Sequence, residues 1–452
     1  MTQDTQLTFE ARDEFNRKSI AEKVITLLRS DITVSPLVID GSWGLGKTEF
    51  CQKLLSLMST EETHHLIYID AFKADHADEP LLTVLAKVLE VLPSQEEQQG
   101  LIQKAIPALR YGLKTGGKAL VAHILRQDTD SIINGFDEEV KQVADKAIDA
   151  SVESLLKDHV EAESSLQALQ QALKSIAEQK PIVLFIDELD RCRPNFSVLM
   201  LETIKHTFDV EGVQFVLITN TNQLKASINH CYGPTIDAQR YLDKFIRFSF
   251  TLPHTTNENR HDVTMASVTH YKNLVAKSER LQGLSLDRDS DFWLVEQVIN
   301  TNNISLREVE TLVRHIEIYQ ALFDDQPLSN HTQWAYRLMA LLGVLLISFK
   351  PNLAKSALIN NLDAKDLGNF LGVHSLPKLE NNQHPTHCDT LVFMLASECK
   401  YNSDFYVPDN PQDKERWEGE ANEYFRGRYN LTRNGRMSLV TGAIKGLGLS
   451  VN

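Results

Sequence analysis

The chain has 452 residues, more than one hydrophobic core accommodates, and reads as two or three domains. An apolar fraction of 42% and a charged fraction of 24% fit a folded globular protein and exclude disorder as its dominant state. The net charge of −15 excludes a surface coated throughout with nucleic acid, though not a local basic groove.

Residues 1–10 are polar and acidic, without the apolar stretch of a signal peptide. Residues 13–29 carry Ile20, Val24, Ile25, Leu27 and Leu28 at helical spacing. Residues 36–40 read as a short buried strand, followed at once by a glycine-rich turn and a helix over 50–58. A second strand over 66–70 and a second helix over 79–92 repeat the alternation that marks a parallel α/β sheet. From about 93 to 180 the pattern is helical with no convincing strand. The alternation resumes with a strand over 182–186, a helix over 198–208 and a strand over 213–219, and a last strand over 245–252 stops at Pro253. Beyond it the pattern is helical, with a polar break over 300–305 before a periodic helix over 307–322. The longest apolar run, 338–347, falls short of the ~20 residues that span a bilayer and reads as a buried core helix.

Five scattered cysteines, Cys51, Cys192, Cys231, Cys388 and Cys399, do not make a disulfide framework and point to a reducing, cytoplasmic compartment. His384, His387, Cys388 and Cys399 lack the tight paired spacing of a zinc site. Arg426, Arg428, Arg433 and Arg436 alternate with Tyr424, Phe425 and Tyr429; such a set can stack on single strands or simply pack its rings in a core.

Gly41, Ser42, Trp43, Gly44, Leu45, Gly46, Lys47 and Thr48 fit G-x-x-x-x-G-K-[ST] and lie between a strand and a helix, where that loop works. The glycines let backbone N–H groups converge on phosphate oxygens, Lys47 reaches the β- and γ-phosphates, and the Thr48 hydroxyl is placed for Mg²⁺. Glu49, on the first helical turn, completes the stretch expected against the nucleotide. The apolar strand over 182–186 ends in Asp187 and Glu188, at the strand end where open α/β sheets hold their ligands. Asp187 is the candidate metal carboxylate, and Glu188 the candidate that orients and polarises the attacking water. The long interval between Lys47 and Asp187 makes the helical stretch from 93 to 180 an insertion in the core.

With these segments in place the sequence resembles the KAP family of P-loop NTPases, in the additional-strand, catalytic-glutamate division. The resemblance rests on Tyr68-Ile-Asp-Ala-Phe-Lys73 with Glu79-Pro-Leu-Leu82, on Phe185-Ile-Asp-Glu-Leu-Asp-Arg-Cys192, on Leu201-Glu-Thr-Ile-Lys205, and on Tyr241-Leu-Asp-Lys244. The family usually has Asp where Glu188 stands, which strengthens a catalytic reading here. It implies a sheet in the order 5-1-4-3-2 followed by a helical lid. It also implies a polar sensor after the fourth strand, Asn220 or alternatively Thr219, unless these only cap the strand end. By the same resemblance Arg307 corresponds to a lid arginine sensing the γ-phosphate, and Asp190 and Arg191 orient the loop. Arg240 is a weaker candidate for an arginine finger, and Phe15 and Arg17 for flanking the base. Relatives of this kind in bacteria are often associated with phage defence.

Many KAP proteins carry membrane helices between the two motifs. The matching stretch here, 101–126, instead mixes Lys104, Arg110, Lys114, Lys118 and Arg126 with apolar residues and no acid. It can lie on an anionic membrane, touch nucleic acid, dock a partner, or pack on the core with its cations solvated.

The expected organisation is a P-loop core over 10–255 with its insertion, a helical lid over 256–324, and a mainly helical C-terminal domain over 325–452 that handles a protein partner. The expected function is Mg²⁺-dependent ATP hydrolysis driving a conformational or assembly switch, in a homo-oligomer. An ATP-assembled scaffold or peripheral-membrane organiser with little turnover is the alternative.

Overall fold

The computed structural model describes residues 7–77, 79–92, 94–116, 152–259, 262–323, 327–329, 331–379, 384–424 and 435–449. Five strands, β1 (Leu37–Asp40), β2 (His65–Asp70), β3 (Ile182–Asp187), β4 (Val213–Thr219) and β5 (Phe248–Thr251), form one sheet in the order β2-β3-β4-β1-β5. Every neighbouring pair is parallel. Read from the other edge, this is the 5-1-4-3-2 order that the family resemblance implies.

The strands are apolar because both faces of the sheet are covered, as a parallel sheet requires. All six residues of β3 are buried. Alternate side chains point to opposite faces. Val183 and Phe185 join Leu37, Ile39, Val216 and Ile218 in a core closed by Val24, Leu28, Phe50 and Leu54 from the helices Lys18–Leu28 and Lys47–Ser59. Ile182, Leu184 and Ile186 join Val38, Phe215 and Leu217 in the opposite core, closed by Leu85, Val88, Leu201 and Ile204 from the helices Pro80–Val91 and Pro194–Thr207.

The inserted helices Gln95–Gly116 and Val152–Gln179 run against each other, and Leu101, Ala105, Leu169, Leu173 and Ala177 extend the second core. Leu101 is therefore a core residue, while Lys104 is exposed. Residues 117–151 lie outside the described residues, as do the side chains from 106 to 116. Most of the basic stripe expected over 101–126 thus lies outside them too.

The chain resolves into two units, Met1–Leu252 and Pro253–Asn452. The second unit begins with a feature the sequence pattern hides. Residues Thr255–Asn259 and Asp262–Met265 pair as an antiparallel hairpin where a helical pattern is expected. Its inward residue is a threonine: Thr256 is buried and shares a hydrogen bond of 3.1 Å with the Thr269 hydroxyl. No alternating apolar signal reaches the sequence, because a polar side chain fills the inward position.

The remaining helices of this unit share a single apolar core running from Val268 to Ile444, so residues on both sides of 324 and 325 contribute to it. The apolar run over 338–347 lies in the helix Trp334–Phe349 and is buried as far as Leu346, with Ile347 half-buried at its end. Among the described residues no helix is long and apolar enough to cross a membrane. That helix packs closely on Arg436–Leu447: a Cβ added at Gly343 would lie 2.8 Å from Ala443 Cβ and press on the Val440 carbonyl oxygen. Replacing Gly343 with Ala forces two backbones apart and is expected to cost about 1–3 kcal/mol. Chemical denaturation followed by circular dichroism should show the earlier transition.

Candidate active site

The strand β1 ends at Asp40 and the chain turns at once into the loop that precedes the helix Lys47–Ser59. Gly44 and Gly46 take φ of 76° and 80°, a left-handed region costly for any residue with a Cβ. A Cβ on Gly41 would come within 2.7 Å of Leu45 Cδ2. The loop is held from below by Leu45, buried in the core, and from the side by Arg17, whose Nη1 donates to the Leu45 carbonyl at 3.0 Å. Arg17 stacks on Phe15 at 4.7 Å. Burial lowers the Arg17 pKa to about 10, against the opposing charges of Glu49, Asp13 and Glu14. Lys47 folds back over the loop, its Nζ donating to the carbonyls of Gly41 at 2.7 Å and Ser42 at 3.1 Å. Burial lowers its pKa too, while Asp190, Asp187 and Asp40 oppose the shift. Glu49 is paired with Lys53 at 2.7 Å on the same helix.

The strand β3 brings Asp187 to the same place. β1 and β3 are separated by β4 alone, which puts their ends roughly 10 Å apart at the usual strand spacing. The Thr48 hydroxyl, at the start of the helix Lys47–Ser59, is close enough to the Asp187 carboxylate to favour its charged form. Asp187 accepts from the Glu188 N–H at 2.8 Å and from the Tyr68 hydroxyl at 3.1 Å. Its burial raises the pKa, and these three groups oppose the rise. Two sequence motifs far apart in the chain therefore meet at one site. The KAP family P-loop domain matches residues 17–323, well over half of the chain. The chain belongs to the KAP family. No curated protein matches it.

A KAP P-loop domain implies a bound nucleotide, and the residues fit one. Left-handed glycines open the backbone N–H groups, an ammonium group lies on the loop's own carbonyls, which phosphate oxygens could replace, and a hydroxyl and a carboxylate, both hard oxygen donors, lie on the same side of the sheet end. The other expected site residues are distributed as follows. Ser42 and Trp43 are exposed on the loop. Glu188 has a left-handed backbone, with φ of 59°, and its Oε1 pairs with Arg191 Nη1 at 2.8 Å. Asn220 caps the helix Thr221–Tyr232, its side chain accepting from the Asn222 N–H at 3.1 Å. Thr219, not Asn220, has its side chain joined to the loops around the site, through a 3.2 Å bond to Asp190. Arg240 is exposed on the short helix Ala238–Leu242 and pairs with Asp237 at 3.2 Å. Arg307 is exposed on the first turn of the helix Leu306–Leu322, in the second unit, behind the capping box of Ser305 and Glu308.

Two contributors, Asp40 and Tyr68, and one contact of the expected loop residue Trp43 escape a sequence reading. The Asp40 carboxylate accepts from the Thr221 N–H at 2.8 Å and ties the end of β1 to the chain leaving β4. Tyr68 stands opposite Phe185 in the β2–β3 register, and its hydroxyl reaches Asp187. Trp43 donates its indole N–H to Asp190. The available signal was position alone: Asp40 directly precedes the loop, and Tyr68 lies two residues before the strand-end Asp70. Among the described residues, no group of three or more His, Cys, Asp or Glu side chains is placed to hold a metal, which includes the histidine–cysteine stretch over 384–399. Arg436 is buried against Glu398 at 2.9 Å, so it is a core residue, while Arg426, Arg428 and Arg433 lie outside the described residues.

Proposed function

We propose that this KAP-family chain hydrolyses ATP with Mg²⁺ and uses the cycle to switch conformation or assembly on a protein partner. The observation that supports it most directly is that the phosphate loop and the acidic end of β3 come together, with Trp43 bonded to Asp190 and Lys47 within the field of Asp187. In this reading Lys47 neutralises phosphate charge, Thr48 and Asp187 hold the metal, and Glu188 accepts the proton of the attacking water. Asn220 or Thr219 and Arg307 serve as sensors of the γ-phosphate, and Glu49 lies beside the nucleotide. A homo-oligomer and a partner engaged by the C-terminal helices belong to this reading, and the family resemblance alone suggests a setting in anti-phage defence. The deciding measurement is phosphate release from ATP by the full chain. Release should require Mg²⁺ and stop when EDTA removes it; no release under any condition would remove the enzymatic reading.

A reading with low turnover also has an observation in its favour. Glu188, the residue assigned to activate water, is ion-paired with Arg191 and only partly exposed. A carboxylate oxygen so paired is occupied by the arginine and is turned to water only when the arginine moves away. Replacing Arg191 with Ala is expected to raise basal turnover about twofold to fivefold, the scale of one partly exposed ion pair. Steady-state rates at saturating ATP check this, and a lower rate would give Arg191 a supporting role instead.

A further inference from the structure

Asp190 lies three residues beyond Asp187, on the turn Leu189–Arg191, and is 8% exposed. Both carboxylate oxygens are engaged. Oδ2 accepts the indole N–H of Trp43 at 2.5 Å, and Oδ1 accepts the hydroxyl of Thr219 at 3.2 Å. The first donor belongs to the phosphate loop, and the second is the fully buried last residue of β4. Neither bond serves secondary structure. Trp43 is 49% exposed, so burial of its ring does not account for its placement, and the bond at its nitrogen does. Burying a carboxylate is costly unless it is well paired. Asp190 adds a side-chain tie between the phosphate loop and the tip of β4 to the β1–β4 ladder and the Asp40–Thr221 bond at the loop's root.

We propose that Asp190 is a positioning residue that fixes the phosphate loop to the tip of β4 through Trp43, so that ATP meets a preformed loop. This deepens the ATPase reading and rests on it. Asp190 need not touch nucleotide to act in this way. Its charge is also first among those that oppose the fall burial imposes on the Lys47 pKa. A loop released from this tie must be ordered when nucleotide binds, and that entropy is lost from affinity. The effect therefore falls on binding and not on the chemical step.

The test uses the full chain as wild type, Trp43→Phe, Asp190→Asn and the double variant. Phenylalanine keeps a ring in place but carries no N–H. Each single substitution is expected to raise the Kd for Mg·ATP about tenfold, the scale of one hydrogen bond to a charged group, and to leave kcat within about threefold. The double variant should bind no more weakly than Asp190→Asn alone. Affinity losses that multiply in the double variant would overturn the proposal, because Asp190 would then not act through Trp43. A second readout needs no turnover: the emission contributed by Trp43, taken as wild type minus Trp43→Phe, should shift when Asp190 becomes Asn. An unshifted emission would overturn the proposal even if affinity fell. A wild type that binds Mg·ATP without releasing phosphate would defeat the ATPase reading while the affinity and emission results still decide this one. Should Asp190→Asn misfold, Trp43→Phe alone with unchanged affinity would suffice to reject it.

Discussion

Lys47→Ala is expected to abolish measurable binding of Mg·ATP, raising Kd by about a hundredfold or more. The ammonium group is buried at the first position of the helix Lys47–Ser59, and its two hydrogen bonds are to carbonyls of its own loop. Those carbonyls are neutral acceptors. A triphosphate offers anionic ones at the same place, and each bond to a charged group contributes about 1.5–3 kcal/mol. Two such bonds lost together give the stated factor. Alanine also leaves Asp187, Asp190 and Asp40 without the cation between them, which further disfavours an incoming anion. Isothermal titration with Mg·ATP checks it, and an affinity within threefold of wild type would mean the nucleotide sits elsewhere.

Glu188→Gln should separate binding from chemistry. Glutamine has the shape of glutamate, accepts the same left-handed backbone about as readily, and can still meet Arg191 through a neutral hydrogen bond. What it cannot do is take a proton from water. Loss of a general base typically costs about 10²–10⁴ in rate, so phosphate release should fall by that range while the Kd for Mg·ATP stays within about threefold. Single-turnover quench experiments at saturating enzyme make the comparison free of product release. If turnover is unchanged, another acid activates the water. Asp70 is then the first to examine, since it stands opposite Asp187 in the β2–β3 register and holds Lys73 at 2.9 Å.

The sheet was legible from the sequence because parallel strands are buried on both faces. Ile182 to Ile186 had no alternative reading once turns bounded it, and the glycines at 44 and 46 stand where the backbone turns left-handed. The approach of the phosphate loop to the end of β3 was legible for a different reason: two short motifs carry their chemistry in residue type, and a common fold brings their strands to one sheet. Contacts set by packing were not legible. Trp43 reads as a loop aromatic until its indole nitrogen is seen on Asp190, and Asp40 reads as a strand terminus until its carboxylate is seen on the Thr221 N–H. The hairpin after Leu252 was lost because a threonine, and not a valine, fills its inward position. Thr219 and Asn220 could not be ranked from sequence, since either can cap or sense; their hydrogen bonds distinguish the helix cap from the residue facing Asp190.

The exit from the first unit has a mechanical consequence. β5 lies beside β1 with Thr251 opposite Asp40, and the next residue, Leu252, is fully buried and donates its N–H to the Asp40 carbonyl at 2.9 Å. Asp40 is bonded covalently to Gly41, and Leu252 to Pro253, where the second unit starts. The root of the nucleotide loop is thus pinned to the residue that follows β5 by a main-chain bond inside the first unit. Fraying of the β5 edge would therefore loosen the floor from which that loop springs.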